Sequence, residues 1–151
     1  MHAFYDKVTD RARKALESAN IHARTRRNIL VTNTHILWGL CEEGNNVATQ
    51  VLKNLKVNVR RLQDHCDNHI GYGKYDSHNY GVPYAQDACL TICRAIDFGK
   101  KVNHIGCQHF LLSLLADIEN PAGRFLNKVN VTQELVLAEI KAIVKPLVAA
   151  P

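Results

Sequence analysis

The residues of this chain best equipped for chemistry are its eight histidines and five cysteines. His65, Cys66 and His69 fall in one helical stretch, with the two histidines at i, i+4 on a common face. His104, Cys107 and His109 form a second group, and His78 stands between the two. Zinc accepts histidine and cysteine at such spacings. Against a zinc site, the glutamate of an HExxH pair is missing, Cys66 is offset from the histidine face as a core residue, and the two groups would have to converge. These side chains are therefore read as packing groups, and neither a metal nor a cofactor is expected.

His35 and His109 each precede an apolar helical run. A general base needs a matched nucleophile and an orienting acid, and neither accompanies them. They are read as structural residues that close a helix start. Cys89 and Cys93, at i, i+4 on what reads as an apolar face, are likewise read as small core residues without a redox role. No G-x-x-x-x-G-K-[ST] phosphate loop occurs in the chain, so no ATPase chemistry is expected of it. No catalytic residue is expected, and the chain is read as non-enzymatic.

The elements that position these residues are organised by an internal repeat. Sliding the sequence along itself by 74 residues (109 − 35 = 74) aligns Val8 with Val82 and runs without a gap to Val57 and Val131. His35/His109, Leu37/Leu111, Leu40/Leu114, Asn46/Asn120 and Leu52/Leu126 coincide in that register, as do Val8/Val82 and Leu16/Leu90. It also matches Ala15 with Cys89, Ala19 with Cys93 and Trp38 with Leu112, which reads the tryptophan as a packing residue.

Each copy is predicted to hold four helices. Ala12, Ala15, Leu16, Ala19 and Ala23 share a face behind a Thr9 N-cap. A second helix carries Ile36, Leu37, Leu40 and Cys41 and stops near Gly44. A third begins at Asn46 and buries Val47, Val51, Leu52 and Leu55. A fourth follows Asn58, buries Val59, Leu62, Cys66 and Ile70, and ends near Gly71. The second copy repeats these starts at Pro83, at Asn120-Pro121 and at Thr132. No stretch alternates as a strand does. The fold class is all-α: tandem four-helix repeats forming a pseudo-twofold eight-helix bundle. The whole chain, 1–151, reads as a single domain, with a first repeat over 4–70, a polar, glycine-rich linker over 71–77 and a second repeat over 78–145.

Composition narrows the function classes. With 46% hydrophobic and 22% charged residues, the chain can bury a core. Its longest nearly apolar stretch, Phe110 to Ala116, is far below the roughly 18 residues of a membrane helix, and the first residues lack a signal core. An odd cysteine count without C-x-x-C pairs fits reduced thiols in the cytoplasm. Residues 1–75 hold 12 Lys+Arg against 7 Asp+Glu, whereas 76–151 hold 7 of each, so the net +5 belongs to the first half. Arg24, Arg26 and Arg27 are its densest cluster. Such a cluster either favours nucleic acid or is a solvated helix end that suits the helix dipole. Without aromatic interleaving, the second reading is preferred and nucleic acid is disfavoured as a partner.

The run Thr9-Asp-Arg-Ala-Arg-Lys-Ala-Leu16, the segment Thr34-His35-Ile-Leu-Trp-Gly-Leu-Cys-Glu-Glu-Gly44 and the segment Val47 to Leu55 resemble the Clp N-terminal repeat. Val102-Asn-His-Ile-Gly-Cys-Gln-His109-Phe-Leu-Leu resembles its second copy. The resemblance covers about residues 4–145 and implies the double-repeat N-domain of ClpC- and ClpA-type AAA+ unfoldases, here without their ATPase modules. It implies a substrate- or adaptor-recognition domain of a Clp-type ATP-dependent protease or chaperone. Its partners would be substrate proteins, adaptors and Clp ATPase or protease components. The alternatives are a standalone accessory protein that docks on Clp components and, from another class, a nucleic-acid-binding protein using the basic first repeat. Where the family usually has Thr-Glu-His, this chain has Asn33-Thr34-His35 and Cys107-Gln108-His109. Both glutamates that hold a phosphoarginine guanidinium in some members are thus replaced, which removes a charge-assisted pair. A protein-binding groove where the repeats meet is expected to be lined by Phe4, Tyr5, Val8, Thr34, Val82, Tyr84 and Gln108, with Tyr80 nearby.

Overall fold

The computed structural model describes residues 6–149 except 79 and 118. Among them it holds eight helices: α1 (Asp10–Thr25), α2 (Asn33–Glu43), α3 (Val47–Asn54), α4 (Val59–Ile70), α5 (Gln86–Lys100), α6 (Cys107–Ala116), α7 (Pro121–Lys128) and α8 (Gln133–Ala149). The architecture is all-α and duplicated, with α1–α4 repeated by α5–α8. Caps start the helices where the sequence places them. Thr9 Oγ1 accepts the Ala12 N–H at 3.2 Å, Asn46 Oδ1 that of Thr49 at 2.9 Å, Asn58 Oδ1 that of Arg61 at 3.1 Å and Asn120 Oδ1 that of Gly123 at 2.9 Å. Thr132 Oγ1 takes the Leu135 N–H at 3.2 Å, and Gly44 ends α2 at φ 69°. Each satisfies backbone groups that a helix end would otherwise leave unpaired.

The core is built around the two central helices. Ile36, Leu37 and Leu40 of α2 and Phe110, Leu111 and Leu114 of α6 are each at most 1% exposed. The α1–α2 contact is close because Gly39 has no side chain: a Cβ there would lie 2.2 Å from the Ala15 carbonyl oxygen. At the same place in the second copy, Ser113 donates its hydroxyl to the Thr91 carbonyl at 2.6 Å. One copy thus uses closeness and the other a buried hydrogen bond to join its first and second helices.

Two parallel bridges tie the copies together. Ile105 exchanges backbone hydrogen bonds with Lys7 and Thr9 at 2.8 and 2.9 Å, and Val31 does so with Pro83 and Ala85 at 2.8 and 2.9 Å. These isolated bridges are too short to make a sheet. They also correct the expected start of α5. Pro83 and Ala85 are engaged by Val31, so the helix begins only at Gln86.

The bridges expose a second correction, to the repeat register. In α2 and α3 the offset of 74 holds, as shown by positive-φ Lys56 and Asn130 after α3 and α7. In the first helices it is 76 (88 − 12 = 76): the buried positions Ala12, Ala15, Ala19 and Ala23 correspond to Ala88, Thr91, Ala95 and Gly99. Positive-φ Arg27 and Asn103 keep that larger offset. Val8 is therefore matched by Tyr84, and the identities Val8/Val82 and Leu16/Leu90 are coincidental. Cys89 and Cys93, expected in the core, are exposed. Thr91 and Ala95 occupy the inward positions instead, because the inner face is chosen by what packs under α6. Cys41, Cys66 and Cys107 are buried as small apolar residues.

The register changes between Asn28, whose N–H reaches the Ala23 carbonyl as that of His104 reaches Gly99, and Val31, which bridges as Ile105 does. Ile29 and Leu30 thus have no counterpart in the second copy. Both are exposed, Ile29 at 63% and Leu30 at 38%.

Candidate functional site

The start of α2 is organised by an imidazole. The Thr32 backbone N–H donates to His35 Nδ1 at 3.0 Å, and the opposite nitrogen, Nε2, lies 2.9 Å from Asn28 Oδ1. A backbone N–H cannot accept, so Nδ1 carries no proton and the ring is the neutral Nε2–H tautomer. His109 repeats the arrangement, with Nδ1 accepting the Gly106 N–H at 2.9 Å. This is the reciprocal half of a capping box with histidine in place of the usual glutamate or glutamine. Burial and the neighbouring His22 lower the His35 pKa to about 4, and burial and His104 lower that of His109 to about 4. A proton on either ring would break the cap.

Two cavities flank these helix starts as pseudo-symmetric mates. The smaller, about 350 Å³, is lined by Arg11, Val47, Gly106, Cys107 and Gln108, with Thr9 and Asn46 beside them. The larger, about 680 Å³, carries the matching Asp87, Pro121, Thr32, Asn33 and Thr34. It also holds Ile29 and Leu30, the two residues without counterparts, and the connecting segment with Tyr72 and Tyr75. That segment is fastened to the end of α1: Gly73 and Tyr75 donate their N–H groups to the Arg26 and Arg27 carbonyls at 2.8 and 3.0 Å. Only glycine fits at 73, since a Cβ would lie 2.2 Å from the Arg27 carbonyl oxygen.

The polar equipment of the mates differs. In the smaller cavity Arg11 is tied to Glu43 at 3.0 Å. Burial works against ionised Glu43, but hydrogen bonds from Asn46, Arg11 and Asn45 hold its carboxyl below the ordinary range. In the larger cavity Asn33 is 1% exposed, and neither its side-chain oxygen nor its nitrogen has a hydrogen-bond partner. A buried amide with both ends unmet costs stability unless something binds it. Sequence reasoning missed Ile29, Leu30 and Asn33; the signal for the first two was the two-residue slip in the repeat.

The residues expected to form one groove are spread over the molecule. Thr34 lines the larger cavity and Gln108 the smaller, both almost fully buried. Val82 is 3% exposed, in the core. Val8 and Tyr84, both half-buried, sit in the two separate bridges. Tyr80 is 77% exposed, and Phe4 and Tyr5 lie outside the described residues.

The suspected metal groups are engaged in packing. The His65 and His69 rings meet the Phe125 ring edge-on, at 4.3 and 5.2 Å, while Cys66 is wholly buried. Among the described residues no three His, Cys, Asp or Glu side chains gather as a metal site would need. Of the arginine cluster, Arg26 pairs with Asp67 at 3.2 Å and covers the Tyr72 ring at 4.2 Å. His22 stacks on Trp38 at 3.6 Å and reaches the same Asp67 carboxylate at 2.7 Å. Among the described residues no helix is long and apolar enough to cross a membrane.

Residues 7–129 match the Clp repeat (R) N-terminal domain. The chain is 29% identical over 130 residues to the chaperone protein ClpB of Oceanobacillus iheyensis, a match covering 85% of this chain and 16% of that protein. It is 30% identical over 130 residues, with the same two coverages, to the negative regulator of genetic competence ClpC/MecB of Bacillus subtilis. The chain therefore spans about 16% of the length of these relatives. The fold is also that of the ClpV N-domain solved in complex with a VipB peptide, with TM-score 0.69 and 14% identity over 91% of each chain. Duplicated helices, paired helix-start histidines and this match over most of the chain lead to one conclusion: the chain belongs to the Clp repeat N-terminal domain family.

Proposed function

We propose that this chain is a non-enzymatic recognition module that captures substrate or adaptor proteins for a Clp-type ATP-dependent unfoldase or protease in the cytoplasm. The observation that carries the reading is the cavity at the start of α2, edged by exposed Ile29 and Leu30 and backed by the buried, unpartnered amide of Asn33. A side-chain amide offers one donor and one acceptor side by side, the complement of a peptide unit. The apolar edge supplies hydrophobic contact beside it. Similarity to a ClpV N-domain solved with a peptide supports a peptide as the ligand class. A small module of this kind acts by raising the local concentration of captured chains near the motor.

A fluorescein-labelled, uncharged peptide of Leu, Phe, Ser and Gln tests the reading by fluorescence anisotropy. Ile29→Ser with Leu30→Ser, and separately Asn33→Leu, should each weaken binding at least about tenfold. Alanine at Arg24, Arg26 and Arg27 should leave it nearly unchanged. Equal binding by wild type and the groove variants would refute this site. Binding of a single-stranded oligonucleotide, lost in the arginine variant and falling steeply with salt, would instead establish the nucleic-acid alternative.

A further inference from the structure

A third cavity, about 420 Å³, opens between the turn after α3, the first half of α4 and the end of α7. Its walls are apolar, formed by Val57, Leu62, Phe125 and Val129. Lys56, Asn58, Arg61, His65 and Lys128 complete the lining, and among the described residues no carboxylate lies in it. Lys56, Arg61 and Lys128 are exposed, and none forms an ion pair among the described residues.

The duplicated fold provides an internal control. At the offset of 74 the apolar walls recur, with Val131, Val136, Val51 and Leu55 in the matching places. The basic groups do not. Lys56, Arg61, His65 and Lys128 are replaced by Asn130, Leu135, Glu139 and Asn54. There Asn54 Nδ2 donates to Glu139 Oε2 at 3.1 Å and ties α3 to α8. Lys128 and His65 take the corresponding positions, and the His65 ring lies edge-on against Phe125 instead. The fold therefore places the walls at both pseudo-symmetric positions, and the basic rim stands at one of them alone, with Lys56, Arg61 and His65 from the first repeat and Lys128 from the second.

Packing does not require three lysine or arginine side chains around an apolar pocket, and their mutual repulsion opposes the gathering. We infer that this cavity is a second docking site, separate from the Asn33 groove, for an acidic peptide segment that carries an apolar side chain. The apolar side chain fills the pocket between Phe125 and Val129. Flanking carboxylates meet Arg61, which can pair with them in bidentate fashion, and Lys56 and Lys128 as point charges. Apolar walls and a small volume suit such a peptide better than a phosphodiester track, which needs a longer basic stripe.

The test uses the full chain carrying Ile29→Ser and Leu30→Ser, which removes the first groove from the measurement. A fluorescein-labelled peptide alternating Asp or Glu with Leu or Phe is titrated by anisotropy, beside its counterpart with Asn and Gln for the acids. The acidic peptide should bind at least about tenfold more tightly than its neutral counterpart. Arg61→Glu with Lys128→Glu should abolish that advantage, and the milder Arg61→Gln should reduce it, with melting temperatures confirming that both variants fold. Equal binding of the two peptides, no binding of the acidic peptide, or full binding by the charge-reversed variant would overturn the inference. So would tighter binding of a single-stranded oligonucleotide to the same residues. Failure here leaves the Asn33 groove untouched, because that site is read with the uncharged peptide.

Discussion

His35 Nε2 stands 2.9 Å from Asn28 Oδ1, across the loop that joins α1 to α2. One side chain thereby closes the start of α2 and holds the loop that bears Ile29 and Leu30. In the second copy the place of Asn28 is taken by His104, whose ring lies 5.5 Å from that of His109.

The neutral caps predict acid lability. Both histidines have folded-state pKa values lowered to about 4, while the unfolded chain takes up protons near the ordinary 6.5. Between these values the unfolded state binds more protons, so stability is full above about pH 6.5 and falls as pH drops toward 4. At pH 5 the loss should be about 2 kcal/mol per histidine. Urea unfolding at pH 7 and pH 5 measures it. His35→Gln, which keeps a capping group without titrating, should shrink the difference by about half.

Thiol reactivity should divide the cysteines two to three. Cys89 and Cys93 are exposed and should react promptly with a thiol reagent such as Ellman's. Burial, then the Glu42 charge, pushes the Cys41 thiol up to about 12. Burial, then the Glu43 charge, pushes Cys107 up to about 12, and burial also raises Cys66. These three should react only in denaturant. Fewer than two prompt thiols would contradict the register in which α5 packs, and more than two would contradict the burial of Cys41, Cys66 and Cys107.

Gly39→Ala should destabilise the fold by about 2 kcal/mol or more, because its Cβ meets backbone rather than a movable side chain. Thermal unfolding reads the loss. A neutral outcome would show that α1 and α2 can separate without penalty.

Free phosphoarginine should bind weakly or undetectably in calorimetric titration. Thr34 and Gln108 stand where paired carboxylates would be needed, and in two different cavities. Micromolar affinity would defeat this expectation. Thr34→Glu with Gln108→Glu should strengthen any residual binding.

The sequence by itself determined the helices, their order and their duplication. These rest on local chemistry: Thr9, Asn46, Asn58, Asn120 and Thr132 cap the helices they precede, and apolar spacing names the buried faces of α2, α3 and α4. Tertiary packing decided which face of α5 turns inward, since Cys89 and Cys93 are apolar enough for a core that Thr91 and Ala95 fill instead. It also decided that Ile29 and Leu30 project as an unmatched edge, because only the bridges at Val31 and Ile105 reveal where the two copies lose register. Lys56, Arg61 and Lys128 are unremarkable charges along the chain. They become one basic rim only when α4 and α7, far apart in sequence, fold against each other, and a linear pattern carries no distance between such elements.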